Sequence, residues 1–200
     1  MKIIALTLFL LISITACDNS ITAPQTASAE DTLDINGVIY KTGRSSPFTG
    51  KVITNYKNGN KMKETIYKDG KRDGLFVLWH LAGQKIMQVN YQDGKEEGLS
   101  TSWYENGKKE FESYYKKGKE DGLTVFWHKN GQKEFESNYK EGNRVGLATW
   151  WFSNGNKMRE MNYKDGKEHG LATWWNKQGK MWIERTFDMG TKIKDNTLNQ

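Results

Sequence analysis

Cys17 is the only cysteine in the chain. It offers one thiol, a nucleophile that can take an acyl or alkyl group, and it cannot form a disulfide within the chain. The imidazoles are His80, His128 and His169. His80 and His128 hold equivalent positions two sequence repeats apart, about 20 Å across a flat sheet at ordinary strand spacing. That is too far to share a metal ion, and no cysteine pair or carboxylate–histidine cluster completes a site. Ser46, Ser100, Ser102, Ser113 and Ser137 lie in unrelated contexts, except that Ser113 and Ser137 are repeat-equivalent. Glu112, Glu136, Glu160 and Glu184 recur once per repeat, about 10 Å apart. A glycosidase needs one carboxylate pair rather than a ladder, and a catalytic nucleophile needs a base and an orienting group beside it. No Gly-x-x-x-x-Gly-Lys-Ser/Thr leads into a helix to cradle a phosphate. These residues predict a non-enzyme, with no catalytic residue, metal or cofactor.

The chemistry open to Cys17 follows from what precedes it. Met1-Lys2 is a short positive start, and residues 3–14 form an apolar run broken only by Thr7 and Ser13. The run is shorter than the roughly 20 residues that span a bilayer, and it fits the core of a secretory signal. Ile14-Thr15-Ala16-Cys17 resembles the lipobox of bacterial lipoproteins. The resemblance implies cleavage before Cys17, a diacylglycerol on its thiol and an acyl chain such as palmitate on its amine. Two or three chains anchor durably where one does not. Asp18 and Asn19 resemble the sorting signal that retains such proteins at the inner membrane. Residues 1–16 are therefore read as a signal peptide and 17–30 as a lipidated cysteine with a flexible Ser/Thr/Ala tether. The rest is expected on the periplasmic side, held to the membrane by its N-terminal lipid.

The elements that carry the remaining residues are legible in composition. Only 36% of the 200 residues are hydrophobic, yet 12% are aromatic, with 20 Gly and 2 Pro. Disordered chains are poor in aromatics; many short strands joined by tight turns fit better. The net charge of +6 is modest, and Lys alternates with Asp and Glu. No basic block stands alone, so no nucleic-acid partner is expected.

A 24-residue repeat organises the chain. Tyr67, Tyr91, Tyr115, Tyr139, Tyr163 and Phe187 mark one column, and a Gly follows each by three residues. Gly74, Gly98, Gly122, Gly146 and Gly170 mark another, each followed by Leu. Trp79, Trp103, Trp127, Trp151 and Trp175 mark a third. Each unit reads as two strands, the first like Leu75 to His80 and the second like Lys85 to Tyr91. Asn-Gly pairs such as Asn106-Gly107 supply the positive φ angles of tight hairpin turns. The Tyr-x-x-Gly-x-x-x-Gly connection reads as a longer, sharply bent loop.

Alternation places Leu75, Val77 and Trp79 on one side of the first strand, and Met87, Val89 and Tyr91 on one side of the second. The expectation is one apolar face with the Trp column as its stacked spine, and one charged face of Glu balanced by Lys109, Lys133 and Lys157. Residues 31–66 read as a degenerate N-terminal repeat or cap, 67–190 as the array, and 191–200 as a polar C-terminal tail.

These columns resemble MORN-type repeats, closest to the bacterial variant of YwqK-like antitoxin proteins. Tyr91-Gln92-Asp93-Gly94-Lys95-Glu96-Glu97-Gly98-Leu99, Trp103 and Asn106-Gly107-Lys108 carry the likeness, which covers roughly Gly50 to Gly190. It implies an all-β fold: tandem antiparallel hairpins forming an elongated twisted sheet, about 10 Å wider with each unit.

Doubled aromatics then stand out. Phe126-Trp127, Trp150-Trp151 and Trp174-Trp175 put rings on both sides of a strand. Phe126, Trp150 and Trp174, joined by Tyr104 and Phe152, form a candidate patch for a partner. Ser102 is the small residue in that column, so the patch is weighted toward the C-terminal units. The leading reading is a membrane-anchored scaffold that binds a protein partner in the cell envelope; the family resemblance implies an antitoxin-like or immunity role. The alternative is a module that binds glycan or phospholipid through the same rings.

Overall fold

The computed structural model describes residues 25–197. Residues 1–16, read as a signal peptide, and Cys17, Asp18 and Asn19 lie outside the described residues. Strand β1 is Thr26–Ser28, and β2 (Thr32–Ile35) and β3 (Val38–Lys41) form a separate hairpin. Then come β4 (Gly50–Asn55), β5 (Lys61–Lys68), β6 (Lys71–Trp79), β7 (Lys85–Gln92) and the short β8 (Lys95–Glu96). The array continues with β9 (Gly98–Trp103), β10 (Lys109–Lys116), β11 (Lys119–Trp127), β12 (Lys133–Lys140) and β13 (Asn143–Trp151). It ends with β14 (Lys157–Lys164), β15 (Lys167–Trp175), β16 (Met181–Asp188) and β17 (Thr191–Thr197). From β4 to β17 each strand pairs antiparallel with the next in the chain, and only β8 stands aside on β7. No α-helix occurs among the described residues, so the fold is the all-β array of tandem hairpins.

The two connections exchange the roles expected of them. Asp93 and Gly94 both have positive φ, 49° and 79°, and Gln92 pairs directly with Lys95. This is a two-residue turn whose twist matches that of the strands. The Asn-Gly connection is the longer one. Tyr104 N–H donates to the Lys108 carbonyl, and Gly107 N–H to the Tyr104 carbonyl. Asn106 keeps ordinary φ, while its Oδ1 accepts from Lys108 N–H at 3.0 Å. Asn is used here for its side chain. The second Gly column lies inside strands rather than in a loop. Gly122, at φ 133°, sits in β11 where the register against β10 shifts, and a Cβ there would lie 3.0 Å from Tyr114 Cβ.

Register also revises the faces. Val77 stands opposite Gln88, and Val125 opposite Glu136. Residues directly opposite share a face, so the Leu75–Val77–Trp79 side belongs with the glutamates. The Trp column is therefore no stacked apolar spine. Its rings alternate with lysines: Lys61 lies 5.4 Å from the Trp79 ring, Lys109 5.6 Å from Trp127, and Lys157 5.6 Å from Trp175. Trp103 is paired with Lys109, and Trp151 with Lys157. The same lysines form ion pairs three residues on, Lys109 with Glu112 at 2.6 Å and Lys133 with Glu136 among them. This face neutralises itself.

The opposite face carries a row of buried side chains, all small but for one Met. Ser113, Thr124, Ser137, Ala148, Met161 and Ala172 pair across successive strands, and none is more than 2% exposed. Small residues pack there because rows of rings flank them on both sides.

The N-terminal edge is capped. β1 pairs in parallel with β4, Ala27 opposite Val52. Ala27, Phe48 and Val52 form a buried cluster with Ile39 and Tyr67 against it. Ile39 N–H donates to the Gly70 carbonyl at 2.9 Å. Three expected boundaries change accordingly. The tether read over 17–30 contains β1. The unit read over 31–66 divides into the cap hairpin β2–β3 and the regular sheet strands β4–β5. The tail read over 191–200 supplies β17, which pairs with β16 through Thr197.

Candidate partner-binding face

One row crosses the small-residue face beside its buried line. In strand order it reads Leu78, Met87, Ser102, Phe111, Phe126, Phe135, Trp150, Arg159, Trp174 and Ile183, each opposite the next. Neighbouring rings stack at a tilt. Centroids are 4.8 Å apart for Phe111–Phe126, 5.9 Å for Phe126–Phe135 and 4.9 Å for Phe135–Trp150, distances at which aromatic pairs attract beyond their buried area. The Arg159 guanidinium continues the stack 3.7 Å from the Trp150 ring centre, and Arg185 lies 5.4 Å from Trp174.

Phe126, Trp150 and Trp174 thus share one row, but not as rings turned away from a spine. They interleave with Phe111, Phe135 and Arg159 of the other strands. Phe126 is 38% exposed and Phe135 only 6%, while Trp150 and Trp174 are half-buried.

Tyr104 and Phe152 are not in the row. Both begin an Asn-Gly turn. Tyr104 Oη donates to the Trp127 carbonyl of the next repeat at 2.6 Å, as Tyr56 does to Trp79 at 2.8 Å. Burial, with Glu110 and Glu134 nearby, lifts the Tyr104 phenol above its ordinary value. His128 holds the equivalent position, its Nε2 2.9 Å from the Trp151 carbonyl. These side chains staple repeats together. Asn106 and Asn130 add a second staple, donating to the Lys129 and Ser153 carbonyls.

Sequence reasoning missed a charged column opposite the tyrosines: Arg72, Glu96, Glu120, Arg144 and Glu168. Its sign changes from repeat to repeat, and that irregularity was visible in the sequence. Arg144 lies within 5.8 Å of the Phe135, Tyr139, Trp150 and Tyr163 rings and donates to Tyr139 Oη at 2.8 Å. Burial lifts the Glu96 carboxyl; Arg72 opposes that shift and Glu120 adds to it. Tyr115, facing both glutamates, is pushed up to about 12 by burial first and by their charge second.

Two depressions open on this face. The larger, about 580 Å³, lies where Ser102 interrupts the row, walled by Leu78, Ile86, Met87, Tyr104 and Glu110. The smaller, about 410 Å³, lies over Phe126, Phe135 and Trp150, with Glu120, Glu134, Tyr139 and Arg144 at its rim. Both fall within the size range of small-ligand sites. No group of three or more His, Cys, Asp or Glu that could hold a metal ion occurs among the described residues.

Residues 96–117, 120–141 and 144–165 match the family described as MORN repeat variant. No curated protein matches the chain. Each matched segment holds one pair of strands with its Asn-Gly turn, and together they contain the ring row from Phe111 to Arg159. The matched segments are similar to MORN-type repeats over residues 96–165, and the aromatic row from Phe111 to Arg159 lies within them.

Proposed function

We propose that this chain is a membrane-anchored, non-enzymatic scaffold that binds a protein partner in the cell envelope across its aromatic face. The observation that supports this best is the ring row from Phe111 to Trp150 on a sheet with no second layer over it among the described residues. Large rings flanked by arginine are the groups that anchor protein interfaces. Anchoring rests on the lipobox resemblance at Cys17, and the antitoxin- or immunity-like role on the YwqK-like pattern of the repeats.

A crosslinked pull-down tests the reading, with residues 18–200 as bait against an envelope extract. One stoichiometric protein should be retained by the wild type and by Trp151→Ala on the charged face. It should be lost from Phe126→Ala plus Trp150→Ala, with circular dichroism confirming the fold. No retained protein overturns it. Retention of glycan or lipid alone would favour the second reading, which the same ring row supports, because sugar rings also stack on aromatics. For the anchor, incorporation of labelled palmitate should disappear in Cys17→Ser; persistence would exclude lipidation there.

A further inference from the structure

The depression over Phe126, Phe135 and Trp150 has unlike ends. Glu120 and Glu134 line it from β11 and β12, at opposite ends of that strand pair; Glu120 accepts from the Ser113 and Thr124 hydroxyls, and Glu134 lies 3.6 Å from His128 Nδ1. Toward β13 it is lined by Arg144, and Arg159 on β14 stacks on the same Trp150; their guanidinium centres lie 5.7 and 3.7 Å from that ring centre. Neither arginine has a carboxylate within ion-pair distance among the described residues, whereas Lys61, Lys109, Lys133 and Lys157 on the other face all do. Arg159 Nε is buried without a hydrogen-bond partner. Two like charges share one indole with no paired carboxylate among the described residues, Arg144 donating only to the Tyr139 and Tyr163 phenols, while the floor between them and the glutamates is apolar. The buried, unpaired Arg159 Nε–H is costly, and an incoming anion would satisfy it.

We propose that this depression takes a dipolar segment of the partner, with a Lys or Arg against one of the two carboxylates Glu120 and Glu134, an Asp or Glu against Arg144 and Arg159, and an apolar side chain on the rings between. The inference rests on the reading of this face as a protein-binding surface, and deepens it. From β11 to β14 is about 14 Å at ordinary strand spacing, which suits charges on separate residues of an extended chain. A zwitterionic lipid headgroup has its charges only two carbons apart and cannot reach both ends. An anionic membrane would meet the glutamates as well as the arginines and be repelled by them.

The probe is a capped synthetic peptide, Lys-Leu-Phe-Asp flanked by glycines, titrated into the 15N-labelled soluble chain while the Trp150 indole resonance is followed. This readout captures binding as weak as a Kd of about 1 mM. A saturable shift is expected, weakened at least tenfold when the peptide's Asp is replaced by Asn or its Lys by Gln. Arg144→Gln plus Arg159→Gln should make binding indifferent to the Asp-to-Asn change, and Glu120→Gln plus Glu134→Gln indifferent to the Lys-to-Gln change. An unshifted Trp150 resonance, or a shift equal for all three peptides, overturns the proposal. So does a larger response to vesicles of phosphatidylethanolamine and phosphatidylglycerol than to the peptide. If the pull-down still retains a Trp150-dependent protein while these titrations fail, the scaffold reading survives and the dipolar site does not.

Discussion

Tyr115 joins chemistry to stability at the scale of one residue. Its phenol is pushed up to about 12 from 10.0, by burial first and then by Glu120 and Glu96. The folded chain therefore holds this proton at a pH where the unfolded chain has released it. The contribution is fully present below pH 10.0 and is lost as pH rises through about 12. Denaturant midpoints should fall across that window, and Tyr115→Phe should lessen the fall; an unchanged slope would refute the placement. Glu64 runs the other way. Burial raises its carboxyl, but hydrogen bonds and charge from Lys51 and Lys61 outweigh burial and leave it below 4.5. Its contribution is present above pH 4.5 and is lost as pH falls through the lower folded value, so Glu64→Gln should flatten the acid limb of a stability–pH curve. At this scale the sequence pointed to Phe126, Trp150 and Trp174 through their doubled rings. It did not point to Arg144 and Arg159, because a charged residue in a strand usually reads as solvated surface. Only the register reveals that they lie against rings.

Turns and strands set that register. A two-residue turn forces both central residues to positive φ, yet Lys117 and Glu141 occupy the first of them at 52° and 50°. Non-glycine side chains resist this region, Asn least among them. Glu141→Asn keeps the backbone N–H that donates to Asp121 at 3.2 Å, and should stabilise by about 0.5–1 kcal/mol in thermal or denaturant melts. Asn130→Ala removes both its turn bond and the donation to Ser153, 2.6 Å away, and should cost about 1–2 kcal/mol by the same melts. Little change would mean the staple contributes nothing. The strands themselves were readable from Gly, Asn-Gly and alternation. What alternation could not supply was the phase between neighbouring strands. It fixes which residues within a strand share a face, while turn length and in-strand bulges decide which face meets which. Alternation alone therefore placed the Trp column on the apolar side, whereas the register puts it with the glutamates.

Across the array from β4 to β17, β8 aside, each strand pairs only with its neighbours in the chain, so stability should approximate a sum over repeats. Deleting residues 120–143 joins Lys119 to Arg144 in register. The shortened chain should retain its β-sheet circular dichroism with a lower melting temperature; loss of folding would contradict the additive picture. The partner should no longer bind, because Phe126, Phe135, Glu120 and Glu134 leave together. The period made the array legible, but not its ends: β1 and β17 come from stretches whose polar composition resembles tether and tail. The meander also has a mechanical consequence. Its first and last strands lie at opposite edges, and every hydrogen-bond ladder runs along the line that joins them. A pull between the two termini loads those ladders in series and peels them one at a time rather than shearing them together. Each released repeat would pay out roughly 80 Å of chain, and the array would yield at low force as an extensible leash between whatever holds its two ends.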